Sequence, residues 1–439
     1  MKKISLIILL ILMITTIYAE TISLQESIDL ARKQNKMLVS SDNLEQAAKW
    51  QKRNAITQFL PHASFNERWL RLEEDQVMSI PVLGDMILQK KNNYTSEISV
   101  NQPLFASGKL YLNYKIADLS LKQASNQNAL KVKELDWQTA GLYFQILKLN
   151  EINKISQKTV DSYQSHYEKA QIKREQGIGL LTELLQWKVK YETAQSDLAS
   201  LSNSFAVLLD SWYQHLGIVN DGKELMPVEI NLDEVKQNAQ LIADLSAEQK
   251  TEQLNAFLES FMQTNRNKQN LAISKDMLDY QIKFAKTEFL PTLGLNFTYQ
   301  FDNDDKLNLK GADNWTLVAM FSVPLFYSGS NYTQYKAQYY KTKQQIDELD
   351  NIDEMLAIQA KKTYLDYYDL ALKIKTNTIN LELAQENINQ VTELVNQGML
   401  TYSDLMDAEI MLQSVTMSYY SDLYDFMIKE YELKLFREE

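Results

Sequence analysis

The chain states its plan twice, and the register between the two copies slips only once. Phe59-Leu60-Pro61 recurs as Phe289-Leu290-Pro291 at an offset of 230. Pro103-Leu104-Phe105-x-Ser107-Gly108 recurs as Pro324-Leu325-Phe326-x-Ser328-Gly329 at 221, and Gln176-Gly177 recurs as Gln397-Gly398, again at 221. Residues 107–176 and 328–397 therefore match without net insertion, which continuous helix enforces and loops rarely manage. The nine-residue difference falls between the FLP and PLF landmarks, where an exposed loop tip tolerates it. Each half is one structural unit to be read twice.

Only 11 Gly and 6 Pro interrupt 439 residues, so long helices are expected. Within 107–176 the single candidate break after the opening Ser-Gly is Gly141, and an unbroken helix there would run about 105 Å at 1.5 Å per residue. No globular core is that long. In the second copy Leu381, Ala384, Ile388, Val391 and Val395 recur at spacings of three and four, with Val160, Tyr163, Tyr167 and Ala170 at matching places in the first. That pattern predicts a narrow, coiled-coil-like seam. Gly177 and Gly398 end the long helices, and helical runs resume at 180–214 and 403–436. Each half is thus a helical hairpin with a glycine at its tip.

Between FLP and PLF the period changes to two. Leu293, Leu295, Phe297, Tyr299 and Phe301 alternate with Thr292, Gly294, Asn296, Thr298 and Gln300, and after a polar loop Trp315, Leu317, Ala319, Phe321 and Val323 alternate with Thr316, Val318, Met320, Ser322 and Pro324. The first copy is rougher, with Glu67, Arg68 and Arg71 in its first strand. Alternation alone favours a soluble sandwich hairpin, because barrel signals are weak per segment, but strands of about ten residues also suit a membrane barrel. Four strands cannot close a barrel, and an open edge does not survive in lipid. Several chains must then share one barrel, and three chains are the smallest number expected to leave a lumen.

Lys2 and Lys3, the apolar run Ile4 to Ile14 and a small residue at Ala19 read as a secretory signal peptide over 1–19. The first repeat is assigned to 20–216, with a β-hairpin at about 62–104, a long helix at 107–176 and a return helix at 180–214. An inter-repeat joint follows at 217–255, marked by Asn220-Asp221-Gly222 and Pro227. The second repeat spans 256–439, with its hairpin at 292–325, long helix at 328–397 and return helix at 403–436. The formal charge of −12 makes nucleic acid an unsuitable partner. The absence of cysteine excludes disulfides, thiolate metal sites and a lipidated N-terminal cysteine.

At these landmarks the chain resembles the TolC family of outer-membrane efflux channels. The resemblance rests on FLP before each hairpin, PLF-x-SG after it, Gly398-x-x-x-x-Ser403-Asp404-Leu405-Met406-Asp407-Ala408, and the weaker echo Gly177-x-x-x-x-Thr182-Glu183-Leu184. It implies a mainly α protein with a β-barrel portion, forming a homotrimer with twelve shared strands in outer-membrane lipid and a helical barrel in the periplasm. It also implies a periplasmic adaptor and an inner-membrane transporter as partners. Acidic residues at the places of Asp404 and Asp407 ring the entrance in the family, and Glu183 holds the matching place in the first copy, where Gln186 replaces the second carboxylate. Six such carboxylates in a narrow ring are expected to raise one another's pKa values. The tips at Gly177 and Gly398 are the expected partner contacts. Family members close the tip with a tyrosine and an arginine, but Val395 and Leu400 stand there, so the closing contacts must differ.

No catalytic constellation, phosphate loop or cofactor motif is present, and His62, His166 and His215 lack metal-ligand spacing. The expectation is a passive duct, not an enzyme, with no metal and no cofactor. A structural coiled-coil protein of the periplasm is the alternative. It would leave the alternating strands without a use.

Overall fold

The computed structural model describes residues 20–81, 84–218, 225–304, 306–307, 309 and 312–437. The expected signal segment and Asn220-Asp221-Gly222 lie outside them. The chain divides into two compact units, one comprising 42–127 and 267–353 and the other taking the remaining stretches. Two 67-residue helices contribute to both: α3 (Lys109–Glu175) and α8 (Ser330–Asn396).

The strand-bearing unit holds an antiparallel sheet of β2 (His62–Arg71), β5 (Asn92–Phe105), β7 (Thr292–Asn303) and β8 (Ala312–Ser322), in the order β2-β5-β7-β8. Side chains in the middle of the sheet sort by face. Phe65, Ile98, Tyr299 and Trp315 stand opposite one another across all four strands, and so do Ser64, Ser99, Thr298 and Thr316. The alternation read from the sequence thus produces one apolar and one polar face. Charged residues interrupt the apolar face at Glu67, which accepts from Ser96 Oγ at 3.0 Å, and at Arg71 and Asp313 near the other end. The two hairpins share one register: His62 opposes Asn101 and Thr292 opposes Ser322, the same pair shifted by 230 and 221.

Between β2 and β5 the first copy inserts a two-stranded ribbon, β3 (Gln76–Ile80) with β4 (Gly84–Gln89), which the sequence had suggested only as a loop. The PLF-x-SG motif has a conformational cause. Ser107 and Ser328 have φ of 54° and 50°, and each is followed by a left-handed glycine. The flanking residues close the turn, Lys109 N–H on Ala106 C=O and Ser330 N–H on Tyr327 C=O, both at 2.8 Å. Two successive positive-φ residues define a type I′ turn, which swings the chain from strand into long helix.

The helical unit is built on α3 and α8 with the return helices α4 (Leu181–Leu216) and α9 (Tyr402–Arg437). Along the expected seam Val160, Tyr163, Ala170, Ala384 and Val395 are buried. Its largest cluster packs Tyr143, Phe144, Trp212 and Leu216, and the Tyr143 hydroxyl bonds both Ile22 C=O and Val228 C=O. Those carbonyls flank the parallel pair of β1 (Glu20–Ile22) and β6 (Leu225–Pro227). Beyond β6 the joint carries α5 (Leu232–Ala243) and runs into α6 (Ala247–Thr264), whose Phe257 and Phe261 pack on Ala360, Tyr364 and Leu433. No helix among the described residues is long and apolar enough to cross a membrane.

Candidate functional site

The two glycine tips and the helix ends beside them form the candidate site. At the first, Gly177 has φ 79°, its N–H bonds Arg174 C=O at 3.0 Å and Ile178 N–H bonds Lys173 C=O at 3.1 Å. At the second, Gly398 has φ 74°, its N–H bonds Val395 C=O at 3.0 Å and Met399 N–H bonds Leu394 C=O at 2.9 Å. This crossed pair of bonds is the Schellman stop, which satisfies the last helical carbonyls and needs a left-handed residue. The repeat is therefore preserved here at the level of single hydrogen bonds. Ile178, Leu180, Leu181 and Met399 leave the turns exposed, Ile178 at 74% and Met399 at 70%.

Asp404 and Asp407 both lie on the exposed side of α9, while Leu405, Met406 and Ala408 point inward. Their common face follows from the three-residue spacing. Asp404 also stabilises the helix start: it accepts from Thr401 N–H at 2.8 Å and from the Thr401 hydroxyl at 2.6 Å, while its own N–H donates to Thr401 Oγ1 at 3.3 Å. That is a capping box. The Thr401 hydroxyl and backbone hold the Asp404 carboxyl below its ordinary value in the single chain. Glu183 occupies the first turn of α4, where the N-cap is Leu180 and no side chain caps the helix.

Three contacts that sequence reading missed tie the helices of different repeats beside the tips. The Lys173 ammonium of α3 donates to the Tyr402 hydroxyl of α9. Ser162 Oγ donates to Glu409 Oε1 at 3.1 Å, and His166 Nε2 lies 2.8 Å from the same oxygen. His166 is also stacked 4.4 Å from Trp187, which is fully buried against Tyr163, Ala170 and Met406. Burial, then the Glu409 charge, pushes the Tyr163 hydroxyl up to about 12. Val395 is buried and Leu400 half-buried at the places where a locking pair was absent from the sequence. Lys173 and Tyr402 supply a cation and a phenol at other places. Their sequence separation of 229 left no local signal to find them.

His215 is held in the packed interior of the helical unit. The Thr139 hydroxyl donates to Leu135 C=O at 2.7 Å, which leaves its lone pair to accept from His215 Nε2–H at 2.9 Å. No group of metal-binding side chains occurs among the described residues.

Over 346 residues the chain is 22% identical to the alkaline protease secretion protein AprF of Pseudomonas aeruginosa, covering 76% of this chain and 68% of that one. The fold is similar to the outer membrane channel CmeC of Campylobacter jejuni, with a TM-score of 0.77 at 14% identity over 94% of this chain and 85% of that one. It is also similar to the outer membrane protein VceC of Vibrio cholerae, with a TM-score of 0.73 at 14% identity over 94% and 95%. The family model described as outer membrane efflux protein matches residues 28–217 and 258–435, one segment in each repeat, and the chain belongs to that family.

Proposed function

We propose that three copies of this chain form the outer-membrane exit duct of an efflux or type I secretion system, gated at its periplasmic end. The observation that carries the reading is the family match over both repeats, joined to a sheet whose two faces differ in polarity and whose edges are open. In lipid every backbone N–H and C=O on β2 and β8 needs a partner, which neighbouring copies supply. The apolar row through Phe65, Ile98, Tyr299 and Trp315 suits the hydrocarbon, and the row through Ser64, Ser99, Thr298 and Thr316 suits a wet lumen.

Asp404, Asp407 and Glu183 line the periplasmic entrance in this reading and favour cations there. The exposed apolar side chains at the Gly177 and Gly398 turns receive the periplasmic adaptor, which bridges to the inner-membrane transporter. Lys173 and Tyr402 hold neighbouring hairpin ends together and resist opening. The transporter supplies energy and selects cargo, so the duct itself needs no catalytic group, and a purely structural periplasmic rod would have no use for a two-faced sheet. Reconstitution of the mature protein into a planar bilayer tests the reading. Discrete conductance steps are expected. A detergent-independent soluble protein that adds no conductance would overturn it.

A further inference from the structure

Two helices from different repeats turn matching stripes toward one another in the helical unit. On α3 the stripe is Ile155, Thr159 and Ser162, at spacings of four and three, and on α9 it is Glu409, Leu412 and Thr416, at three and four. Between them lies a cavity of about 290 Å³, with Ile388 of α8 on its wall. One water needs only about 15 Å³, so the space suits a small organic molecule.

The polar lining is biased toward acceptors. The Thr159 hydroxyl donates to Ile155 C=O at 3.1 Å and the Thr416 hydroxyl to Leu412 C=O at 2.6 Å, so each spends its hydrogen on its own helix. Ser162 Oγ spends its hydrogen on Glu409 Oε1, which His166 Nε2 also meets at 2.8 Å. These hydroxyls are left with lone pairs only. The other carboxylate oxygen, Glu409 Oε2, is buried and has no hydrogen-bond partner, and the side chain as a whole is 17% exposed. A buried carboxylate oxygen without a donor is costly.

We infer that this cavity binds a small organic cation bearing an ammonium or guanidinium group, whose N–H donors reach Glu409 Oε2 and the Thr159 and Thr416 hydroxyls while its hydrocarbon part lies among Ile155, Ile388 and Leu412. Such a group has several donors and no acceptor, the complement of this wall. A divalent metal ion fits less well, because it needs several charged oxygens and no such group occurs among the described residues. The remaining charges on the wall do not occupy Glu409. Glu151 is paired with Lys154 at 3.3 Å, and exposed Lys158 carries its ammonium toward water. The bound cation bridges the first repeat to the second inside one chain, so the site does not depend on the duct.

Isothermal titration of the full-length mature protein in detergent with butylguanidinium tests the site, with butylurea as the uncharged isostere. Saturable binding of the cation with a rise in melting temperature is expected, and butylurea should bind at least tenfold more weakly. Glu409→Gln keeps an acceptor for Ser162 and should weaken the cation at least tenfold; Thr416→Val should weaken it severalfold, and Lys158→Met should not weaken it. No saturable binding, equal binding of butylurea, or undiminished binding in Glu409→Gln would overturn the inference, as would undiminished binding in Thr416→Val should the first variant disturb folding. Binding kept in Glu409→Gln but lost in Asp404→Asn with Asp407→Asn would place the cation at the proposed entrance, overturning this site and leaving the duct standing.

Discussion

Tyr402→Phe deletes one hydroxyl and keeps the ring, so it isolates the contact proposed to hold the tips closed. A hydrogen bond to a charged group is worth about 1.5–3 kcal/mol, and partial exposure of both Lys173 and Tyr402 reduces that to about 1 kcal/mol per chain. Removing it should shift the opening equilibrium about fivefold if one chain opens alone, and about a hundredfold if three open together. Single-channel recording at low voltage reads this as open probability. Lys173→Met should act in the same direction, and the double variant should add little, because both changes remove one bond. Unchanged open probability in both single variants would refute the latch. So would full additivity in the double variant.

Gly398→Val forces a β-branched residue to φ 74°, and since an added Cβ meets nothing within 4 Å the cost is backbone strain alone, about 1–2 kcal/mol. Export assays should show loss of transport with multimers and membrane insertion intact, and Gly398→Asn should be milder. Asp404→Asn with Asp407→Asn should lower cation preference and weaken block by multivalent cations, with thermal stability nearly unchanged because Asn still accepts from Thr401; reversal potentials in asymmetric salt measure this. Burial holds His215 below its ordinary value, so on acidification the unfolded chain takes up the proton first. Stability is therefore full above about pH 6.5 and declines as pH falls toward the lower folded value. His215→Gln should flatten that decline in melts between about pH 8 and pH 5.5.

Much of the fold was legible because its determinants are local. The tip glycines and the Ser-Gly turns need positive φ, which few residues accept, and the seam through Ala384 and Val395 is written in a helical period. What escaped depends on contacts distant in sequence or on weak patterns. The β3–β4 ribbon lies in a short, mixed stretch whose pairing includes an irregularity at Gln76, so no clean alternation marks it. Helix α6 did carry a sign in Ser246-x-x-Gln249, a capping box that the polar composition around it obscured. Asn35 after α1 (Leu24–Gln34) and Asn265 after α6 are buried helix ends at an offset of 230, and they extend the repeat upstream of its recognised landmarks. Asp404 was legible as an exposed carboxylate, yet its bond to Thr401, which lowers its pKa within the chain, became visible only with the turn built.

The central claim is that one chain supplies a third of a shared duct, because its four-stranded sheet ends in two unpaired edges. Native mass spectrometry of the mature protein, released from outer membranes in mild detergent, tests it most directly. The account predicts a particle of three chains. A stable particle of one chain, with its sheet closed on itself, would contradict it.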